Sequence, residues 1–273
     1  MTSTKKTLNL KSLGFSAILC LIMVLGPISD TNAGTVTYLF STADGFANGP
    51  LNGQSVFTAQ TTFNVDTSGT GQVNSSPVGF SRFIAGANTI CFDSLAINDS
   101  ITLVMSDYTV SRNTSATGLQ PNGAFGLTSG SNLGTAGVQV GLQLLFDDVG
   151  TGNIFLDDDG FANSSSPVDT GFNLGDTFDL TTVITKTNAT TLTAVSTVGT
   201  ASFTTGTFTG TGLKFGTIFQ HQNPGPPNQG TGSSSFGSLS ITTPMSPVPE
   251  PSSLLLASLS FAAVVGPRRR RRA

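Results

Sequence analysis

An aspartate-rich stretch holds the residues of the chain that are best suited to chemistry, and it reads "FDDVGTGNIFLDDDGFANSSSPVD". Its acidic members are Asp147, Asp148, Asp157, Asp158 and Asp159. Ca²⁺ binds about six to eight oxygen ligands, many of them carboxylates, so Asp157 and Asp159, followed by Gly160, are candidate ligands. A calcium loop of the EF-hand type ends on a glutamate, and residues 34–245 contain none. The alternative is a pair of solvated turns, with no cofactor.

Catalytic groups of other kinds are scarce. Glycoside hydrolysis usually uses two carboxylates, one of them an acid with a raised pKa, and jelly-roll glycosidases generally take theirs from glutamate. A Ser–His–Asp triad needs a histidine, and His221 is the only one. It lies in the proline-rich "QHQNPGPPNQ", where an exposed loop is expected. Cys91 is expected to be a small buried apolar residue. The sequence therefore predicts that the protein is not an enzyme.

The charges are few and unevenly placed. Only 10% of the 273 residues are charged, against about 25% in ordinary globular chains. Between residues 34 and 245, four lysines and arginines stand against thirteen aspartates, which leaves nine net negative charges. Nucleic-acid binding requires a basic face, so no nucleic-acid partner is expected.

The first 33 residues have the layout of a secretory signal peptide. Three lysines precede an apolar run, Leu13–Leu25, which Gly26 and Pro27 end. This run is shorter than the roughly 20 residues of a membrane-spanning helix. We expect cleavage between Ala33 and Gly34 and export of the chain; a retained N-terminal anchor is the alternative.

The last 26 residues combine a proline motif, a short apolar run and a basic end. The apolar run, Leu254–Val265, would span about 20 Å as a helix, less than the ~30 Å hydrocarbon core. The arginines after it should stay cytoplasmic by the positive-inside rule and act as a membrane stop. They are Arg268, Arg269, Arg270, Arg271 and Arg272. Pro249 and Pro251 fix φ and keep the motif around Glu250 extended.

This order of parts resembles the PEP-CTERM sorting signal of Gram-negative-type bacteria. The resemblance covers residues 248–273 and rests on Val248, Pro249, Glu250 and Pro251, followed by the apolar run and the arginine cluster. It implies that an exosortase-type membrane protease recognises Pro249, Glu250 and Pro251 as substrate residues. It also implies a transient inner-membrane anchor, a final location at the cell surface or outside the cell, and an exopolysaccharide-producing, biofilm-forming source.

The body between the two ends alternates apolar and polar residues, which predicts half-buried β-strands. Examples are "TVTYLF", "FTAQTTFNV", "ITLVM", "VQVGLQLLF" and "LKFGTIF". The stretch "DTFDLTTVITKTNATTLTAVSTV" predicts a hairpin that turns near residues 187–189. We therefore expect an all-β class with one antiparallel sandwich over residues 34–242, a linker at 243–247, the sorting signal at 248–273, and no helix of consequence in the body.

Two stretches of the body resemble concanavalin-like jelly-roll domains of some bacterial PEP-CTERM proteins. "DGFANGPLNGQSVFTAQ" is similar to their opening and "SSSFGSLSIT" to their closing strand. Such openings often carry a tryptophan where Val56 and Phe57 stand, and the chain has no tryptophan. The sequence thus predicts a non-enzymatic exported surface or matrix protein. The alternative is a carbohydrate-binding module for extracellular polysaccharide.

Overall fold

The computed structural model describes residues 34–75, 80–113, 119–130, 133, 139–147, 152–157, 167–205, 207–222 and 231–244. Two single-turn 3-10 helices lie at Thr42–Asp44 and Phe92–Ser94. Eighteen strands are formed by these described residues: β1 Gly34–Tyr38, β2 Gly49–Pro50, β3 Phe57–Ala59, β4 Phe63–Asp66, β5 Gln72–Ser75, β6 Phe80–Cys91, β7 Ser100–Asn113, β8 Leu119–Thr128, β9 Gln139–Asp147, β10 Asn153–Asp157, β11 Val168–Asn173, β12 Thr177–Lys186, β13 Thr191–Val198, β14 Ala201–Thr204, β15 Phe208–Thr209, β16 Lys214–Gln222, β17 Thr231–Phe236 and β18 Ser238–Thr243.

The strands form two antiparallel sheets. The larger sheet has eleven strands, in the main order β14-β13-β12-β7-β17-β5-β4-β2, with β18 between β7 and β1 and β15 beside β13. The smaller sheet has seven strands, in the order β11-β10-β9-β8-β16-β6-β3. The predicted all-β class and antiparallel sandwich are confirmed. Within the described residues, no helix is long and apolar enough to cross a membrane.

One apolar core lies between the two sheets. Ile101, Leu103 and Met105 enter it from β7, and Leu142 and Leu144 enter it from β9. Each set follows the period of two that strand geometry imposes, as the alternation predicted. Aliphatic side chains of both sheets are buried together, which is the main favourable term in folding.

Phenylalanine rings fill the centre of this core. The Phe83 ring centroid lies 5.6 Å from that of Phe57, 5.4 Å from Phe63, 5.7 Å from Phe219 and 5.8 Å from Phe236. Aromatic pairs in this range contribute about 0.5–1.5 kcal/mol beyond area burial. Phenylalanines at inward strand positions therefore form the centre of the core.

The predicted hairpin is the pair β12–β13, in which Lys186 lies opposite Leu192. The Asn188 side-chain oxygen accepts hydrogen bonds from the backbone N–H groups of Thr190 at 2.8 Å and Thr191 at 3.1 Å. Such side-chain bonds to nearby backbone are how asparagine stabilises a turn. The turn therefore lies where the sequence placed it.

Two expectations about burial are wrong. The alternation in "TVTYLF" predicts that Val36 faces inward with Tyr38, but 53% of Val36 is exposed. The reason is that β1 pairs with β18 at an edge of the larger sheet, beyond the reach of the opposite layer. Cys91 is half-buried rather than buried, because β6 ends there and the chain leaves the sheet.

Candidate binding site on the smaller sheet

Five residues lie side by side across the smaller sheet, and we call them the transverse row. Strand register pairs Asp157 of β10 with Gln143 of β9, and Gln143 with Ala124 of β8. Ala124 in turn pairs with Gln220 of β16, and Gln220 with Arg82 of β6. Neighbouring strands lie about 4.8 Å apart, so the row extends over roughly 19 Å. Residues distant in sequence thus meet on one line.

The transverse row lies on the outer face of the smaller sheet, away from the core. Leu142 and Leu144 flank Gln143 and belong to the core, so alternation places Gln143 on the opposite face. Phe83 follows Arg82 and Phe219 precedes Gln220, and both phenylalanines belong to the core. Arg82 and Gln220 therefore also lie on the outer face. This outer face is nevertheless enclosed: Asp157 is 0%, Gln143 1% and Gln220 3% exposed.

Next to Ala124, one outer-face position of β8 and one of β9 carry no side chain. These positions hold Gly126 and Gly141, which pair with each other. A Cβ on Gly126 would lie 2.2 Å from the Val140 carbonyl oxygen, and one on Gly141 would lie 2.2 Å from that of Phe125. The backbones therefore approach too closely for any side chain, and a strip of small residues separates the two ends of the row.

Gln143 is the unusual member of the row. Both its amide nitrogen and its amide oxygen are buried, and neither has a hydrogen-bond partner within the protein. A buried amide without partners costs about 1–3 kcal/mol relative to a satisfied one. Native proteins seldom leave such groups unpaired, and water or a ligand normally completes them.

The far end of the row is a hydrogen-bonded group around Arg82. Its Nε donates to the side-chain oxygen of Gln220, and its Nη1 lies 3.4 Å from the Leu133 carbonyl oxygen. The backbone N–H of Arg82 donates to the side-chain oxygen of Gln60 at 2.7 Å. Partial burial lowers the pKa of Arg82, yet the guanidinium stays protonated at any ordinary pH.

The near end of the row carries an aromatic ring. Phe155 of β10 is two residues from Asp157 on the same outer face and is half-buried. It lies opposite the buried Leu145 of β9. Ligand sites commonly combine apolar and aromatic walls with a few placed polar groups. Phe155, Asp157 and Gln143 meet that description.

The only histidine is on the other face of the same sheet. His221 belongs to β16 and is 0% exposed, so the prediction of an exposed loop is wrong at this residue. Its Nδ1 lies 3.2 Å from the hydroxyl oxygen of Ser234, which also hydrogen-bonds Tyr108. Burial raises the pKa of Tyr108 well above its ordinary value, and the bond to Ser234 opposes the shift. The pair is enclosed between the sheets, where no substrate reaches it.

The structure places only some of the residues singled out in the sequence. Asp157 ends β10 and is fully buried, so the solvated-turn alternative is wrong for this aspartate. Asp147 ends β9, whereas Asp148, Asp158 and Asp159 lie outside the described residues. In the part of the chain that the structure describes, no group of three or more His, Cys, Asp or Glu could hold a metal ion. The calcium pair stays a prediction, which melting with Ca²⁺ and with chelator checks.

The predicted ends of the chain lie mostly outside the described residues. These are Ala33, Val248, Pro249, Glu250, Pro251 and Arg268 to Arg272. Gly34 is the first residue of β1 and Thr243 the last of β18. The cleavage positions and the domain boundaries remain predictions.

Sequence reasoning missed the transverse row. Gln143 and Gln220 stand at polar positions of predicted strands, and this alternation was the only available signal. Nothing in one strand says which residue of another strand will lie beside it. The row became visible only through the register of five strands.

The C-terminal segment has a recognisable identity. Residues 247–272 match the PEP-CTERM protein-sorting motif. The chain therefore carries the sorting signal of exported, exosortase-processed proteins, as its last residues predicted. No curated protein matches the chain.

Several solved structures are similar to the chain in fold. The winged bean acidic lectin complexed with methyl-α-D-galactose is 10% identical, with a TM-score of 0.49 over 78% of this chain and 99% of the lectin. Arcelin-5, a lectin-like defence protein from Phaseolus vulgaris, is 12% identical, with a TM-score of 0.48 over 77% and 98%. The alginate lyase AlgAT5 from polysaccharide lyase family 7 is 12% identical, with a TM-score of 0.39 over 66% and 81%. The predicted concanavalin-like jelly roll agrees with these likenesses, which concern the fold alone.

Proposed function

We propose that the protein is a non-enzymatic component of the cell surface or extracellular matrix, attached to a removable sorting tail. The match of residues 247–272 to the sorting motif carries the proposal. An exosortase-type protease recognises Pro249, Glu250 and Pro251, while Arg268 to Arg272 hold the tail on the cytoplasmic side. Cleavage then releases the β-sandwich from the inner membrane.

The chemistry of the body supports a role without catalysis. His221 is fully buried, and a general base must reach the proton it abstracts. Residues 34–245 contain no glutamate, the residue from which jelly-roll glycosidases generally take their catalytic pair. The described residues therefore offer neither an accessible histidine nor a glutamate for general acid–base catalysis.

Mass spectrometry of the mature protein, taken from each cell fraction, tests the proposal. We expect a chain that begins at Gly34, ends near the Pro-Glu-Pro motif, and is found at the surface or in the medium. A functional exported chain that retains Arg272 and Ala273 would overturn the sorting role. Recovery of the full-length chain from the cytoplasm would overturn export as well.

Polysaccharide binding is the second candidate function. Its support is the transverse row, since amide, carboxylate and guanidinium groups all hydrogen-bond hydroxyl groups and neither amide atom of the buried Gln143 has a partner within the protein. Binding to matrix polysaccharide would give an exported sandwich domain a reason to stay in the matrix.

A further inference from the structure

We propose that the free edge of β1 is a docking surface at which two copies of the protein join, antiparallel and about a two-fold axis at Val36. In the part of the chain that the structure describes, β1 pairs with β18 on one side only. Its other side is open, since Gly34, Thr35, Val36 and Thr37 are all exposed. This inference goes beyond the proposed function and does not depend on it.

The strand β1 lacks the features that protect the other edge strands that the structure describes. Natural sheets protect their edges with short strands, prolines, charged residues, bulges or a covering element. β2 has two residues, one of them Pro50, and β3 has three. β11 carries Asp169 and pairs with β10 through a register shift, and β14 contacts β11. β1 has five uncharged residues without proline, in unbroken register, and such an edge invites a further strand.

Apolar side chains are exposed along the same side of the sandwich. Val36 is 53% and Leu39 47% exposed. Val56, 44% exposed, directly precedes β3, and the Phe57 ring of β3 lies 5.0 Å from the Tyr38 ring of β1. Only five large apolar side chains are exposed among the described residues, and three of them are at this edge. Exposed apolar patches mark protein–protein contacts, and a strand added at β1 would cover part of Val36.

The sequence of β1 indicates a second copy as the occupant. Residues 35–37 are Thr-Val-Thr, which is the same in both directions. Antiparallel pairing about Val36 therefore places this valine opposite Val36 of the second copy, and each Thr35 opposite a Thr37. Threonine pairs hydrogen-bond across strands, and the apposed valines bury apolar surface. A two-fold interface requires this kind of self-complementary surface.

The strand is already held in the conformation that such pairing needs. The Oγ1 atom of Thr35 lies 2.9 Å from that of Thr242, and Thr37 Oγ1 lies 2.9 Å from Ser240 Oγ. Five consecutive residue pairs also join the backbones of β1 and β18. Little ordering is left for the moment of association, and preorganisation of this kind favours binding.

Charge sets how the association depends on salt. Neither β1 nor β18 has a charged side chain, whereas residues 34–245 carry nine net negative charges. Two copies therefore repel each other at long range, and these two strands supply no ion pair to offset the repulsion. Salt screens such repulsion beyond about 8 Å at physiological ionic strength, so the dimer should tighten as salt rises. An interface built on one short strand belongs to the small, transient class.

Sedimentation velocity of the exported protein tests the inference. The average mass should rise from one chain to two between about 1 μM and about 1 mM, the range of weak complexes. Val36→Lys should weaken association at least tenfold, because it places like charges opposite each other at the two-fold axis. Val195→Lys is the matched control, since Val195 is also an exposed valine, 39% exposed, on β13 of the same sheet. It changes the net charge equally and should associate like the wild type.

Cysteine cross-linking tests the register in a Cys91→Ser background. Val36→Cys should form a disulfide-linked dimer, because opposed residues have Cβ atoms about 4.5–5.5 Å apart and a disulfide needs Cα atoms within about 7 Å. Thr35→Cys and Thr37→Cys should cross-link when the two variants are mixed, and much less when each is alone. Val195→Cys should stay monomeric.

Several results would overturn the inference. They are a monomer at every concentration, equal association of the Val36→Lys variant and the wild type, dissociation as salt rises, or equal cross-linking of the Val36→Cys and Val195→Cys variants. Cross-linking of the Val36→Cys variant to a different protein, and not to itself, would reject a second copy as the occupant. None of these results bears on the sorting role, which the C-terminus and the cell fraction of the mature protein report.

Discussion

The Ser234 hydroxyl lies 3.2 Å from Nδ1 of His221, in the interior between the two sheets. β17 of the larger sheet and β16 of the smaller one contribute these residues. Both side chains are buried, and Ser234 also bonds Tyr108. A polar bridge thus joins the two layers in the interior between the sheets.

Removing the bridge should destabilise the protein. Ser234→Ala deletes the hydroxyl that His221 and Tyr108 share, and losing a partner for a buried polar group costs about 1–3 kcal/mol. Urea unfolding measures the loss. The adjacent Ser233→Ala is the control, because the bond of Ser233 to Ser111 is exposed and surface changes usually stay within about 0.5 kcal/mol. Equal effects of the two variants would contradict the bridge.

Alkaline pH should unfold the protein through Tyr108. Burial raises the pKa of Tyr108 in the folded state, so from about pH 10 upward the unfolded chain loses this proton while the folded chain keeps it. Stability is then lost as pH rises, by about 1.4 kcal/mol per pH unit for one proton.

The variant Tyr108→Phe isolates this effect in denaturation curves measured from pH 8 to pH 11. It should flatten the alkaline loss of stability relative to the wild type. Tyr38 is only half-buried, and desolvation raises its pKa too, so Tyr38→Phe should flatten the curve less. A larger effect at Tyr38 would count against this assignment.

The core should depend strongly on Phe83. Phe83→Ala removes a buried ring that contacts four others, and such truncations cost about 3–5 kcal/mol. Phe172 is only partly buried and stacks on Phe178 at 4.9 Å, so Phe172→Ala should cost clearly less. Calorimetric melting of both variants ranks them, and the reverse order would refute this account of the core.

Processing should require Glu250. Glu250→Gln keeps the size of the side chain but removes its charge, and we expect an uncut chain that accumulates in the membrane fraction. Ser252→Ala, just outside the proline motif, should be processed normally. Immunoblots of cell fractions with intact-mass measurement distinguish the two. Normal release of the Glu250→Gln variant would show that the protease does not recognise the carboxylate of Glu250.

The sequence by itself determined the strands of this fold and the sorting signal at the C-terminus. Alternation predicted strands such as β7, β9 and β12 because a strand that is buried on one face must repeat every two residues. The sorting signal could also be recognised from the sequence. Its proline motif, apolar run and arginine cluster are defined by their order along the chain and need no tertiary structure. The hairpin turn at Asn188 was local too.

Only the tertiary structure decided which strands lie beside one another. Alternation predicts on which face of its strand His221 lies, but it does not predict whether another sheet covers that face. The packing of β17 against β16 buries this histidine. Arg82, Ala124, Gln143, Asp157 and Gln220 meet through four registers between strands that are distant in sequence. Register is set by the hydrophobic pattern and the turns of the whole sheet, so the transverse row is a property of the fold rather than of any one stretch of sequence.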